Sequence, residues 1–202
     1  MQALRAQINP HLIYNTLNAI KWRALISEEM NIAESISLLS DFLEPVFKNQ
    51  DLLCTVRDEI NYVENYIQIL NLLKTGGYSL ELDIPEVYYE YRIIRFLLQP
   101  VVENSIIHGL ERSSSGQIDI SVTVEAGDMI ISVADNGVGM SEERLQEVRR
   151  KIRKGECENG EGIGIVNVDR RIKNQYGDAY GLDIRNGEEK GAVVSLKMKA
   201  ER

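Results

Sequence analysis

The chain has 202 residues, 44% of them hydrophobic and 27% charged, enough for one large domain or two small ones and too apolar for a disordered segment. Its 23 Lys and Arg against 31 Asp and Glu leave a net charge of −8, which argues against a nucleic-acid binder held by phosphate contacts. No apolar run approaches the ~20 residues of a membrane span and no charged segment leads into an apolar one at the start, so neither a span nor a secretory leader is expected and the cytoplasm is the expected compartment.

About the first seventy-five residues read as helices, with strands only after a break near Thr75-Gly76-Gly77, which predicts a helical module over residues 1–76 and an α/β module over 77–202. Gln7, His11, Asn15 and Asn18 recur at helical intervals and share one polar face, with Ala6, Ile13, Leu17, Ile20 and Ala24 roughly opposite. Ile32, Ile36, Leu39, Leu43 and Val46 make a second apolar stripe that ends where Pro45 and Lys48-Asn49-Gln50-Asp51 break the pattern, so the first two helices form a hairpin. A third helix spans Thr55 to Lys74, with Thr55 as N-cap, Asp58-Glu59 in its first turn and Ile60, Val63, Ile67 and Leu70 as its buried stripe. A hairpin alone has too little core, so these stripes either meet a second copy in a four-helix dimer or pack on the chain's own second half.

The alternation from Tyr78 to Ile84 predicts a half-buried strand closed by Pro85, and a helix from about Ile93 to Leu110 contains Pro100, which should bend it or mark a boundary. Ile118–Val124 and Met129–Val133 flank Gly127-Asp128 as a hairpin. A charged helix starts at Ser141, a glycine-rich stretch covers Gly155 to Gly164, Ile165 to Tyr176 is helical, and Leu182–Ile184 and Ala192–Met198 supply a last strand pair. The expected fold class is α+β, an N-terminal helical hairpin followed by a mixed sheet covered by helices on one face.

Cys54 and Cys157, without CxxC spacing, and the histidines His11 and His108 support neither a disulfide framework nor a thiolate or imidazole metal cage. Phosphate chemistry fits the remainder better. A glycine run entering a helix offers bare N–H groups and the positive end of a helix dipole, as a polyphosphate requires, although the Walker and Rossmann spacings are both absent. In isolation, Asp135 before Gly137 and Gly139 reads first as an ordinary turn.

In order, Val101-Val102-Glu103-Asn104 on a helix, Asp135-Asn136-Gly137-Val138-Gly139 after a strand and Gly160-Glu161-Gly162-Ile163-Gly164 opening a helix resemble the N, G1 and G2 boxes of the GHKL (Bergerat) ATP-binding fold, which includes histidine kinases, gyrase, Hsp90 and MutL. Residues 6–18, AQINPHLIYNTLN, resemble the phosphoacceptor helix of the histidine kinase subfamily typified by LytS and YesM, whose pattern is Q-I-N-P-H-F-L-Y-N-T-L-N. The two resemblances together cover essentially the whole chain.

The resemblance implies the cytoplasmic catalytic fragment of a membrane-anchored two-component sensor, with sensor and membrane segments upstream. It implies a homodimer that binds ATP and Mg²⁺, autophosphorylates His11 and passes the phosphoryl group to an Asp of a response regulator. It assigns Asn104 to Mg²⁺, Asp135 to the adenine amino group, and Gly137, Gly139, Gly162 and Gly164 to close approach of backbone to nucleotide. Asn15 either orients the ring or phosphate or is a solvated amide, and His108 either touches a phosphate or ribose or packs against the helix end. An acid commonly follows the acceptor in other histidine kinases and Leu12 stands here; the resemblance makes Glu103, at a position where GHKL ATPases carry an acid, the candidate general base, the other reading being a structural helix carboxylate. Ile107 replaces the subfamily's usual basic residue, which either lowers nucleotide affinity or leaves that phosphate contact to the Lys and Arg of a lid over Ser141 to Glu161. Two other readings remain: a GHKL module whose ATP state drives dimerisation or partner binding without phosphorylation, and a GHKL ATPase that moves a clamp.

Overall fold

The computed structural model describes residues 10–48, 51–73, 77–110, 115–155, 163–188 and 190–202, and the backbone alone at 10, 11 and 46–48. Helix α1 (Pro10–Ile26) and helix α2 (Met30–Lys48) form the expected hairpin. Pro10 opens α1 where an N–H has no intrahelical partner anyway. Glu28 turns the chain in the left-handed region with φ 60°, and the Glu29 N–H bonds to the Ala24 carbonyl at 2.9 Å. Ala24 and Ala33 flank the turn and are buried. Helix α2 runs through Pro45 instead of ending there, forgoing only the bond to the Asp41 carbonyl that a proline cannot make. The apolar residues Leu12, Ile20, Trp22, Ile26, Ile32 and Leu39 stay exposed on the hairpin.

Strand β1 (Leu53–Thr55) leads directly into helix α3 (Val56–Leu73). The Asp58 N–H donates to Thr55 Oγ1 at 3.1 Å and the Thr55 N–H donates to Asp58 Oδ2 at 2.9 Å, a reciprocal cap that makes Thr55 the helix start its sequence suggests. Ile60, Val63 and Ile67 of α3 are buried in the same core as the sheet. The third stripe therefore packs on the chain's own second half, while those of α1 and α2 are split: Ala24 is buried and Ile13, Leu17, Ile36 and Leu43 half-buried within the hairpin, and Ile20, Ile32 and Leu39 are exposed. The Asn71 amide grips both backbone groups of Tyr78, at 2.7 and 2.9 Å, fixing the end of α3 to the following strand.

That strand is β2 (Tyr78–Asp83); it is followed by a 3₁₀ turn and strand β3 (Arg92–Ile94), which pairs antiparallel with β1. The helix expected from Ile93 begins later, as α4 (Leu98–Asn104), and continues into a π turn over Ser105–Gly109. Ile93 and Ile94 are fully buried strand residues opposite Cys54 and Leu53, a pairing too short and too distant in sequence to show as a periodicity. Pro100 then falls in the first turn of α4, where its missing N–H costs no bond, so it neither bends nor divides the helix.

Strands β4 (Gly116–Glu125) and β5 (Asp128–Asp135) form the predicted hairpin through Ala126 (φ 51°) and Gly127 (φ 86°), the pair of positive φ values that a two-residue turn matching strand twist requires. Helix α5 (Glu142–Lys154) is capped by Ser141 and closed by Gly155 (φ 64°), helix α6 (Ile163–Tyr176) follows, and β6 (Gly181–Asn186) and β7 (Ala192–Lys199) complete the chain. The five-stranded sheet has the order β2-β4-β5-β7-β6, with β2 and β4 parallel and every other pair antiparallel. One face carries Ile118, Ile120, Ile131, Val133 and Leu196 into a core shared with Val101, Val102, Val168 and Ile172 of the helices. Each such side chain contributes about 1.5–3 kcal/mol by leaving water, so the sheet and its helical layer form one packed unit. Among the described residues no helix is long and apolar enough to cross a membrane.

Candidate functional site

The carboxyl end of β5, the end of α4 with the π turn after it, Ile184 of β6 and Ala192 of β7, the first turn of α6 and one face of α5 enclose a cavity of about 260 Å³. Asp135 is buried at its floor. Its Oδ1 accepts the N–H of Gly137 at 3.0 Å and of Ala192 at 3.3 Å, and the Ser105 hydroxyl bonds to the same carboxylate. Burial pushes this carboxyl above the ordinary aspartate range, opposed by those three donors. A carboxylate offers about four lone-pair positions, and three are taken here. One acceptor position therefore remains for a donor inside the cavity, the complement of an exocyclic amino group.

Backbones approach one another closely around this floor. A Cβ on Gly137 would lie 2.2 Å from the Gly109 carbonyl oxygen, one on Gly109 would lie 2.7 Å from Asp135 Oδ1, and one on Gly191 would lie 1.7 Å from the Asp135 carbonyl oxygen. The Val138 N–H donates to Gly109 O at 3.3 Å, tying the loop after β5 to the end of the π turn. Gly139 needs its positive φ of 68°, and next to it the Asn186 side chain holds both backbone groups of Met140, at 2.9 and 2.8 Å.

Asn104 and His108 line the same cavity, so the structure brings them together with Asp135 and Gly139, while Gly137 turns the chain at the floor. Gly164 is the second residue of α6 beside Pro100, and Gly162 lies outside the described residues. Glu103 points elsewhere: one residue from Asn104, it accepts Gln99 Nε2 at 2.7 Å, and its charge acts on Tyr62 and Tyr66 of α3. Burial, then Glu59, then Glu103, push the Tyr62 phenol up to about 12. Successive helix positions diverge by about 100°, which is why the neighbours Glu103 and Asn104 serve different surfaces. His11 is the second residue of α1, with its side chain outside the described set; Asn15, one turn on, is exposed.

Of the charged stretch from Ser141 to Glu161, residues 156–161 lie outside the described residues. Residues 142–154 form α5, with Leu145 and Ile152 in the core and Val148, Arg144 and Lys151 facing the cavity. Ile107 is exposed and absent from the cavity's lining, so Arg144 and Lys151 are the cations closest to it among the described lining residues. Glu147 bridges them, at 2.9 Å to Arg144 and 2.7 Å to Lys151. Ser105, Gly109, Asn186 and Gly191 escaped the sequence reading; the Asn186-Gly187 dipeptide signalled only a turn, and Gly109 only a helix end.

Comparison with known proteins agrees with this geometry. The family model for histidine kinases matches residues 1–75, and the model for histidine kinase-, DNA gyrase B- and HSP90-like ATPases matches residues 90–202. The chain is 32% identical over 197 residues to the sensor histidine kinase YesM of Bacillus subtilis, covering 97% of this chain and 32% of that protein. It is 27% identical over 203 residues to the sensor protein kinase HptS of Staphylococcus aureus, covering all of this chain and 38% of that one. The chain thus spans about a third of the length of these curated relatives. The catalytic domain of histidine kinase ThkA superposes with a TM-score of 0.51 at 17% identity, over 71% of this chain and 88% of that one, which bears on the fold alone. The chain thus belongs to the family of histidine kinase-, DNA gyrase B- and HSP90-like ATPases, and its first 75 residues match the model for histidine kinases.

Proposed function

We propose that the chain is the cytoplasmic catalytic part of a membrane-anchored two-component sensor kinase, which transfers the γ-phosphoryl group of ATP to His11 and then to an aspartate of a response regulator. The observation that carries this reading is Asp135, a buried carboxylate with one acceptor position left at the floor of a cavity whose mouth bears Asn104, His108, Arg144 and Lys151. The adenine amino group donates to Asp135, and the triphosphate runs outward past Asn104 and His108 toward the α5 cations. At about 260 Å³ the cavity lies just under the ~300–1,000 Å³ usual for small-molecule pockets, in keeping with a site that encloses the base and leaves the phosphates in the open.

The donor set fits Mg²⁺ delivered with the nucleotide. Among the described residues no cluster of three or more His, Cys, Asp or Glu stands ready to hold a metal, whereas Asn104 offers the single amide oxygen that a phosphate-borne hard cation needs. The bound cation would neutralise charge building on the phosphate oxygens. In the transfer, a ring nitrogen of His11 forms a bond to the γ-phosphorus as the bond to the bridging oxygen breaks; ADP leaves with that electron pair and the imidazole loses a proton. An imidazole titrates near neutrality, so an accessible ring has enough neutral form to attack. Glu103 is held as the base on the ground that its charge reaches Tyr62 and Tyr66, which stack on Phe42 of α2, the side of α4 that faces the hairpin. The exposed Leu12, Ile20, Trp22 and Ile26 of α1 support a homodimer closed through the hairpins.

The test is incubation with Mg·ATP labelled at the γ position. Label that is acid-labile, alkali-stable and absent from His11→Ala is the expected result. ATP binding without label in the wild type favours the alternative, a nucleotide-driven binding module; steady phosphate release without a phosphoprotein favours a clamp ATPase.

A further inference from the structure

One buried charge plays no part in the chemistry above. Glu59, in the first turn of α3, turns away from solvent and is only 2% exposed. Its Oε1 accepts the N–H of Phe96 and lies 3.6 Å from the Cys54 sulfur, and its Oε2 accepts the N–H groups of Leu97 at 2.9 Å and Leu98 at 3.0 Å. The N–H groups of the N-cap Leu97 and of Leu98 are orphan donors at the start of α4, Phe96 is the residue before the cap, and a side chain of a different helix satisfies all three. Phe96 is held there in the left-handed region at φ 57°, which a non-glycine residue adopts only when its surroundings impose it. From the opposite side the Arg171 guanidinium of α6 donates to the carbonyls of Arg95 and Phe96. The same loop is thus fixed by α3 and by the helix that Gly164 opens.

We propose that Glu59 is a positioning residue for the nucleotide site: by holding the N–H groups of Phe96, Leu97 and Leu98 it sets the direction of α4, and through α4 the places of Asn104 and His108. The proposal rests on the reading of the cavity as an ATP site. Six residues of helical rise separate Leu98 from Asn104, about 9 Å, so a tilt of about 10° at the capped end moves Asn104 by about 1.5 Å. Displacements of about 1 Å are enough to cost large factors in a phosphoryl-transfer site. Asp135 stands on β5, in the sheet, so the tilt does not carry its carboxylate and reaches it only through one of its three donors, Ser105, and through the bond from the Val138 N–H to Gly109 O. The aromatic stack gives Glu59's loop a mechanical link to the hairpin: Phe96 packs edge-on against Tyr62, at 5.0 Å between centroids, and Tyr62 stacks on Phe42 of α2 at 4.7 Å.

The experiment compares affinities for Mg·ATP and for adenosine in the 202-residue chain. Glu59→Gln keeps the shape but places an NH₂ against backbone donors, and Arg171→Gln releases the loop from its other side. Ile67→Val, in the α3 core away from this loop, controls for plain destabilisation. Circular dichroism checks that each variant is folded at the assay temperature. Expected is a loss of Mg·ATP affinity of about tenfold or more in Glu59→Gln and in Arg171→Gln, with a clearly smaller loss for adenosine, about threefold or less, and with Ile67→Val unchanged for both ligands. Parallel losses for both ligands, or no loss for either, overturn the positioning role while leaving the ATP site intact. A wild type that binds neither ligand overturns the ATP reading itself. If Glu59→Gln does not fold, Arg171→Gln decides by the same comparison.

Discussion

Replacing Gly137 by alanine tests whether the loop after β5 and the end of the π turn are as closely packed as the structure has them. The backbone φ at Gly137 is one that any residue can adopt, so the cost is steric alone. The new Cβ would stand 2.2 Å from Gly109 O, 2.5 Å from Gly109 C and 2.7 Å from Gly109 Cα, all backbone atoms that no rotamer change relieves. Restoring a tolerable contact of about 3.2 Å requires a shift of about 1 Å between the two segments, and overpacking of this kind costs about 1–3 kcal/mol. That shift also breaks the 3.3 Å bond from the Val138 N–H to Gly109 O and stretches the 3.0 Å bond from the Gly137 N–H to Asp135, each about 1 kcal/mol. The expected loss is therefore about 3 kcal/mol in urea unfolding followed by far-ultraviolet circular dichroism. Two other glycines calibrate it. Gly127→Ala meets nothing within 4 Å but keeps φ at 86°, for about 1–2 kcal/mol, and Gly164→Ala meets Pro100 Cβ at an ordinary 3.4 Å inside a helix and should be neutral or stabilising by up to about 1 kcal/mol. A Gly137→Ala variant no less stable than Gly127→Ala refutes the packing argument.

Gly191→Ala should be the most damaging glycine substitution, since its Cβ falls 1.7 Å from the Asp135 carbonyl at a φ of 74°; a soluble variant that keeps wild-type stability contradicts the clasp of the β6–β7 turn on β5. Burial raises the Glu59 carboxyl against the pull of three backbone N–H groups. A carboxyl raised on folding stabilises the folded state fully below the ordinary value of about 4.3 and loses that contribution as pH rises through the raised value. The stability gap between wild type and Glu59→Gln should therefore narrow as pH rises through that interval, and a gap that widens would show that the N–H groups outweigh burial. Trp22→Glu, on the exposed side of α1, should weaken self-association in sedimentation equilibrium without altering the unfolding of the sheet domain; an unchanged molecular mass removes the hairpin from the dimer contact.

Much of this architecture is legible in the residues, and the failures have physical causes. Helices α3, α5 and α6, the β4–β5 hairpin and the last strand pair follow from periodicity and from local signals such as Thr55, Ser141 and Gly127, which act within a few residues of themselves. The β1–β3 pair does not, because three-residue strands carry no period and their partners lie almost forty residues apart. Glu59 reads in sequence as a first-turn acid complementing the dipole of its own helix, as its neighbour Asp58 does; it is instead spent on another helix, a choice set by tertiary packing. At the site, Asp135, Asn104, His108 and the glycines of its loop are visible because together they resemble the boxes of a known fold, whereas each alone reads as an ordinary turn or helix residue. Ser105, Asn186 and Gly191 are not, since each acts on Asp135 or on its loop across the fold and leaves only an ordinary turn or helix residue in the sequence. Glu103 shows what chain adjacency does not convey, because it bonds Gln99 and is absent from the cavity lining that its neighbour Asn104 joins.

The central claim is that Asp135 receives the amino group of an adenine. Guanine presents a carbonyl at the corresponding ring position, an acceptor facing an acceptor, and a site built around one buried hydrogen bond rejects such an analogue strongly. Calorimetric titration of the chain with Mg·ATP and Mg·GTP, repeated on Asp135→Asn, is the direct measurement. The account predicts saturable binding of Mg·ATP at one site per chain, weaker binding of Mg·GTP by about a hundredfold or more, and loss of the Mg·ATP signal in Asp135→Asn. Equal affinity for the two nucleotides, or Mg·ATP binding that survives the substitution unchanged, would contradict it.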